Sequence, residues 1–161
     1  YIGAFVMFGD VELTVHCAAE LLKRAPEYDY LIAPEAKAIP LLYEMARQSG
    51  AEKYFLARKG PKAYMSGVFE VHVKSITTMD VQRHVIDTAD AELIKGKRIL
   101  IVDDVISTGE SLRAMEELVT RAGGSIVGRM AVLAEGAAQK RDDIIVLGDL
   151  PLFNPDGTVK A

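Results

Sequence analysis

Four consecutive apolar residues, Ile99, Leu100, Ile101 and Val102, run without interruption into the acid pair Asp103 and Asp104. Such a run has no solvent face, and it suits a central strand buried on both sides, as parallel sheets contain. The two carboxylates are then expected to end the strand at the sheet's carboxyl edge, where open α/β sheets bind their ligands. After them come Ser107, Thr108 and Gly109, and Glu110 and Ser111 open a helical pattern with apolar residues at Leu112, Met115, Leu118, Val119 and Ala122. A turn placed between such a strand and helix suits an anion. First-turn amides point outward unpaired, the helix dipole favours negative charge, and Gly109 lets the backbone come close. This turn is predicted to hold a phosphate.

Asp103 and Asp104 would repel a bare phosphate. A sugar phosphate removes the conflict: the turn takes the 5′-phosphate while the carboxylates accept hydrogen bonds from ribose hydroxyls and face Mg²⁺ or a developing positive charge. In this light ILIVDDVISTGES resembles the phosphoribosyl pyrophosphate motif of the type I phosphoribosyltransferases, in a context most similar to the purine branch of that family. The resemblance covers nearly the whole chain in order. It implies an α/β fold with a mostly parallel central sheet flanked by helices. The implied activity is transfer of a phosphoribosyl group from 5-phosphoribosyl 1-pyrophosphate to a free purine base, adenine favoured, with Mg²⁺ as cofactor. By the same resemblance, Ser107, Thr108, Gly109, Glu110 and Ser111 hold the 5′-phosphate, and Asp103 and Asp104 bind the ribose and stabilise its cationic transition state. Mg²⁺ is expected to arrive on the substrate, with Asp103 and Asp104 as the candidate protein contacts. A homodimer is expected on the same ground, while the single cysteine, Cys17, makes a reducing cytoplasm the expected compartment.

Two more turns fall at strand ends. Asp29 to Ala33 reads as a strand leading into PEAKAIP and a helix from about Leu41 to Gln48. In the family this turn binds pyrophosphate, often through a cis peptide between two non-proline residues, which places Glu35, Ala36 and Lys37 at the pyrophosphate and makes Ala36–Lys37 the expected cis bond. The chain departs from the pattern here. Adenine enzymes usually carry Glu, Ser, Arg and Gly; Glu35, Ala36, Lys37 and Ala38 replace a two-pronged guanidinium by a point charge and a flexible glycine by alanine. Tyr54 to Ala57 reads as a third strand, followed by the cations Arg58, Lys59 and Lys62, which the resemblance also places at the pyrophosphate. From the residues alone, the Glu35 and Lys37 turn fits a solvated charge pair equally well, and the basic cluster has a solvated turn as its lesser alternative.

The remaining segments are scaffold by pattern. AFVMFG is predicted to be a first strand, and Asp10 to cap a helix reaching about Arg24, closed by Pro26. Tyr64 to Asp87 is the least regular stretch: Val68 to Lys74 alternates as a strand, Val85 and Ile86 suggest its partner, and SITTMDVQRH has the composition of a mobile tip. Family members place a flexible flap here, which would exclude water from a ribosyl cation. His72 and His84 read as solvated bystanders, and Glu135, at a strand end, has two readings, a contact to the base and, preferred, a solvated carboxylate. Gly123 and Gly124 end the helix after the central turn. Ser125 to Leu133 and Ile144 to Leu147 are further strands, with AEGAAQKRDD between them as a short polar helix or loop, and Phe153 is expected to anchor an irregular tail.

At 161 residues the chain suits one domain. A net charge of −4 excludes a general nucleic-acid binder, which needs a basic surplus to displace counterions. Cys17 is the single cysteine, so an intramolecular disulfide is excluded, and no apolar run is long enough for a membrane helix. The first residue is Tyr1, leaving room for a preceding segment that could carry a base-covering hood. Two alternatives stay open: a domain that senses phosphoribosyl pyrophosphate without catalysis, or the same chemistry on xanthine, guanine or orotate.

Overall fold

In the computed structural model, which describes residues 1–160, the apolar run does form the centre of a sheet. The chain runs α1 (Val11–Arg24), β1 (Tyr30–Pro34), α2 (Ile39–Ser49), β2 (Phe55–Ala57), β3 (Val68–Lys74), β4 (Val81–Asp87), α3 (Thr88–Ile94), β5 (Arg98–Ile106), α4 (Glu110–Arg121), β6 (Ser125–Glu135), a 3-10 turn (Gly136–Lys140) and β7 (Ile145–Leu150). Five strands pair in parallel in the order β2-β1-β5-β6-β7, while β3 and β4 form a separate antiparallel hairpin. The expected fold class is the observed one.

Strand β5 divides the core because successive side chains point to opposite faces. Ile99 and Ile101 pack with residues of α4, α3 and the hairpin, including Leu118, Ile94 and Val71. Leu100 and Val102 pack on the other side with Leu21 of α1 and Leu41 and Met45 of α2. All four are essentially inaccessible to solvent, and each such side chain contributes about 1.5–3 kcal/mol by leaving water. Cys17 is a buried member of the second cluster, as its helical apolar setting suggested.

Several elements differ from expectation. Residues 4–9 form no strand; only Ile2 makes an isolated bridge, with Leu152, and the segment is held instead by Met7, which is fully buried among α1 and α2 residues. Strand β5 does not stop at the acids. Its neighbour β6 runs equally far, pairing Asp103 with Ala131, Val105 with Leu133 and Ile106 with Ala134, so the ladder carries β5 onward. On its other edge the register with β1 ends at Ile101, and that notch opens space beside Asp103 and Asp104. The helix α3 has no counterpart in the sequence reading. It is short, its apolar signal is weak, and it starts where Asp87 accepts a hydrogen bond from the Ala89 N–H as N-cap.

Candidate active site

The carboxyl ends of β1, β2, β5 and β6 and one face of β4 enclose a cavity of about 420 Å³. Glu35, Ala36 and Lys37 line it from the β1 turn, Lys59 from the β2 turn, and Asp103, Asp104, Ser107 and Ser111 from β5 and its turn. A recess of about 120 Å³ adjoins it, walled by Ser107, Thr108, Gly109 and Ser111. Three predicted residues, Arg58, Lys62 and Glu110, lie outside these walls. The Arg58 guanidinium donates to Glu35 through Nε (2.5 Å) and to the Tyr64 hydroxyl through Nη1 (2.7 Å), so it acts as a strut between two turns. Lys62 lines neither space, though its charge still acts on Glu35.

The β1 turn is fixed by its carboxylate. Glu35 also accepts the Lys59 backbone N–H at 2.7 Å, so the β1 and β2 turns are one unit. Burial alone would raise the Glu35 pKa; the Lys59 and Arg58 hydrogen bonds and the nearby cations outweigh it and hold the group below the ordinary carboxylate range. The cis peptide lies at Glu35–Ala36, one bond earlier than the resemblance placed it. Beside it Lys37 Nζ stands 3.5 Å from Asp104 Oδ2, an oxygen that is buried without a hydrogen-bond partner. Asp103 accepts the Asp104 N–H at 2.8 Å, and burial together with the adjacent carboxyl pushes its pKa well up. Two acids with one cation and an unpaired oxygen form a site lacking a partner.

At the central turn Gly109 adopts φ +81°, the left-handed region, and brings no side chain to cap α4; the Glu110 N–H reaches Thr108 Oγ1 at a long 3.4 Å, and the amides of Ser111 and Leu112 face no side-chain cap. Glu110 does not face the recess with its carboxylate. That group accepts hydrogen bonds from Ser75 Oγ and Thr77 Oγ1 at the tip of the β3–β4 hairpin, and Arg113 donates to the Lys74 carbonyl, so the tip is fastened to the start of α4. The Glu110 pKa is lowered by those donors.

Four residues at or beside the site were missed or misread in the sequence. His84 is 3% exposed, not solvated, and lines the cavity together with Gln82. Alternation on β4 puts those two on one face, a signal that Val85 and Ile86 obscured. Glu135 is buried, lines the cavity and has an unpartnered Oε1, so it is not the solvated carboxylate expected. Its position at a strand end was the available clue. Arg141 sits against the central turn, held by a two-pronged pair with Asp143 at 2.8 and 2.7 Å; nothing in AEGAAQKRDD marks it. His72 is exposed, as expected.

A parallel sheet whose strand ends gather a helix start, an acid pair and a linked basic turn defines an α/β protein with its polar groups at the carboxyl edge, where open sheets place ligand sites. The chain belongs to the phosphoribosyl transferase domain family, whose model matches residues 14–150, and is an enzyme of the phosphoribosyltransferase class. Adenine phosphoribosyltransferase of Petrotoga mobilis is 27% identical over 147 residues, covering 91% of this chain and 72% of the relative. Adenine phosphoribosyltransferase of a Thermotoga species is 35% identical over 109 residues, covering 68% of this chain and 60% of the relative. The crystal structure of adenine phosphoribosyltransferase from Thermoanaerobacter pseudethanolicus shares the fold with a TM-score of 0.72 at 21% identity, covering 88% of this chain and 83% of that one. No helix among the described residues is long and apolar enough to cross a membrane.

Proposed function

We propose that the chain joins a free purine base, adenine favoured, to 5-phosphoribosyl 1-pyrophosphate, giving a nucleoside monophosphate and pyrophosphate in purine salvage. The observation that carries this reading is the gathering of the β1, β2 and β5 turns on one cavity with an adjoining recess at the start of α4. In it Ser107, Thr108, Gly109 and Ser111 hold the 5′-phosphate through backbone amides and hydroxyls, and Glu110 contributes its N–H while its carboxylate fastens the hairpin. Asp103 and Asp104 accept hydrogen bonds from the ribose hydroxyls. Lys37 and Lys59 face the diphosphate, with Glu35, Ala36, Arg58 and Lys62 shaping and charging the turns that carry them.

A ring nitrogen of the base bonds to carbon 1′ as the bond to the diphosphate oxygen breaks, the electron pair leaving with pyrophosphate and the nitrogen's proton passing to solvent or a nearby base. The chain contributes fixed charge: carboxylates beside the cationic ribose and cations beside the leaving diphosphate. Mg²⁺ would be carried by the diphosphate, with Asp103 and Asp104, whose Oδ2 is unpartnered, as the protein groups within the same cavity. When bound, Mg²⁺ would neutralise charge developing on the leaving group.

The test is pyrophosphate release from Mg²⁺ and 5-phosphoribosyl 1-pyrophosphate with adenine, guanine, hypoxanthine, xanthine or orotate. Release with adenine above the others is the expected result. Release with another base would move the substrate, and silence with all five would leave a ligand-sensing domain as the better reading.

A further inference from the structure

The cavity wall nearest the basic turn comes from the hairpin, and its centre is His84. Both ring nitrogens of this residue are buried without a hydrogen-bond partner. A neutral imidazole always carries one N–H donor and one lone pair, and buried groups of that kind are seldom left unpaired. An apolar side chain would have filled the same place on β4 without leaving polar atoms orphaned. The backbone around His84 is also fixed: the next residue, Val85, exchanges two 2.8 Å hydrogen bonds with Arg58, so the imidazole is held in register with the turn that carries Lys59. Two residues earlier on the same strand face, Gln82 brings a second polar side chain to the cavity.

We propose that His84 is a diphosphate-binding residue, its neutral imidazole donating a hydrogen bond to a phosphate oxygen of the substrate and of released pyrophosphate. This deepens the transferase reading above and rests on it. His84 lines the cavity that Glu35 and Lys59 also line and not the recess at Gly109, and the charges of those two residues act on its ring. Burial and the Lys59 charge hold its pKa down at about 4, so near neutral pH it donates without adding charge to a turn that already carries cations. Fixed neutral donors suit a group whose negative charge is balanced elsewhere and whose geometry must still be set.

The test compares two probes that meet opposite ends of the cavity: Mg²⁺ pyrophosphate and ribose 5-phosphate, each titrated calorimetrically into wild type, His84→Gln and His84→Phe, with His84→Leu as a second apolar variant should the phenyl ring not pack. Melting temperatures identify any variant that fails to fold. Wild type is expected to bind both probes. His84→Phe or His84→Leu should weaken pyrophosphate at least tenfold and leave ribose 5-phosphate within twofold, whereas His84→Gln, which keeps an N–H donor, should stay within about threefold for both. Undiminished pyrophosphate binding in the apolar variants overturns the assignment, and so does equal weakening of both probes, which marks a structural role. Failure of wild type to bind either probe overturns the transferase reading itself, an outcome that no variant is needed to see.

Discussion

Gly109 is the residue at which the backbone leaves least choice. At φ +81° any other L-residue pays about 1–2 kcal/mol for the left-handed conformation, and a β-carbon there would stand 2.8 Å from Arg141 Nη1. That guanidinium, paired with Asp143 through Nε and Nη2, must move aside, at little cost for the far end of a flexible side chain, so the backbone conformation dominates. Gly109→Ala should therefore lower stability by about 1–3 kcal/mol in denaturant unfolding and weaken ribose 5-phosphate binding; an unchanged midpoint would show that the turn adapts freely. His84 makes a prediction of its own. Its folded pKa, about 4, lies below the ordinary 6.5, so the unfolded chain binds a proton that the folded chain refuses. Stability contributed by the neutral ring is present above pH 6.5 and is lost as pH falls toward 4, on the order of 3 kcal/mol in all. Lys59 and Glu35, which face the ring, pull in opposite directions. Unfolding at pH 7 and pH 4.5 should show His84→Phe losing less stability on acidification than wild type. The sequence exposed Gly109 through its motif, yet hid His84, because a histidine on a half-polar strand has no pattern that distinguishes burial from exposure.

Among the elements, the β3–β4 hairpin was legible as two alternating strands and a polar tip, and the pairing of Val68 with Asp87 through Lys74 with Val81 matches that pattern. The observed tip is shorter than the expected SITTMDVQRH, running from Ser75 to Asp80, because Val81 already pairs. What no local pattern could reveal is the contact of that tip with Glu110, 35 residues away from Ser75. Propensity and alternation report on neighbours in sequence, and this link exists only after the sheet has brought α4 under the hairpin. Glu110→Ala removes the shared acceptor. Amide exchange at residues 75–80 should then rise at least tenfold with global stability changed by about 1 kcal/mol or less. Exchange as slow as in wild type would mean that strand pairing alone orders the tip. The opening AFVMFG failed for the converse reason: its composition is strand-like, but Phe5 and Met7 pack into the layer of α1 and α2 while Val6 and Phe8 stay exposed, and residues 4–9 pair with no strand.

For the molecule as a whole, the sheet separates two apolar layers, and β5 feeds both. Leu100→Ala and Ile101→Ala empty space on opposite faces, so each should cost about 2–5 kcal/mol and the pair should come close to the sum; a double variant far from additive would show the layers to be coupled through the strand. This two-sided burial was the most readable property of the sequence, since a run of four apolar residues admits few other homes. The β-strand order was less so, as it depends on pairings between distant segments such as Tyr30 with Ile99. The hairpin, finally, is tied at its base to Arg58 and at its tip to Glu110 by the chain's own bonds. The entropy of ordering its two strands therefore belongs to folding and is not subtracted again from affinity when a substrate enters. A ligand reaching this cavity meets a wall already standing.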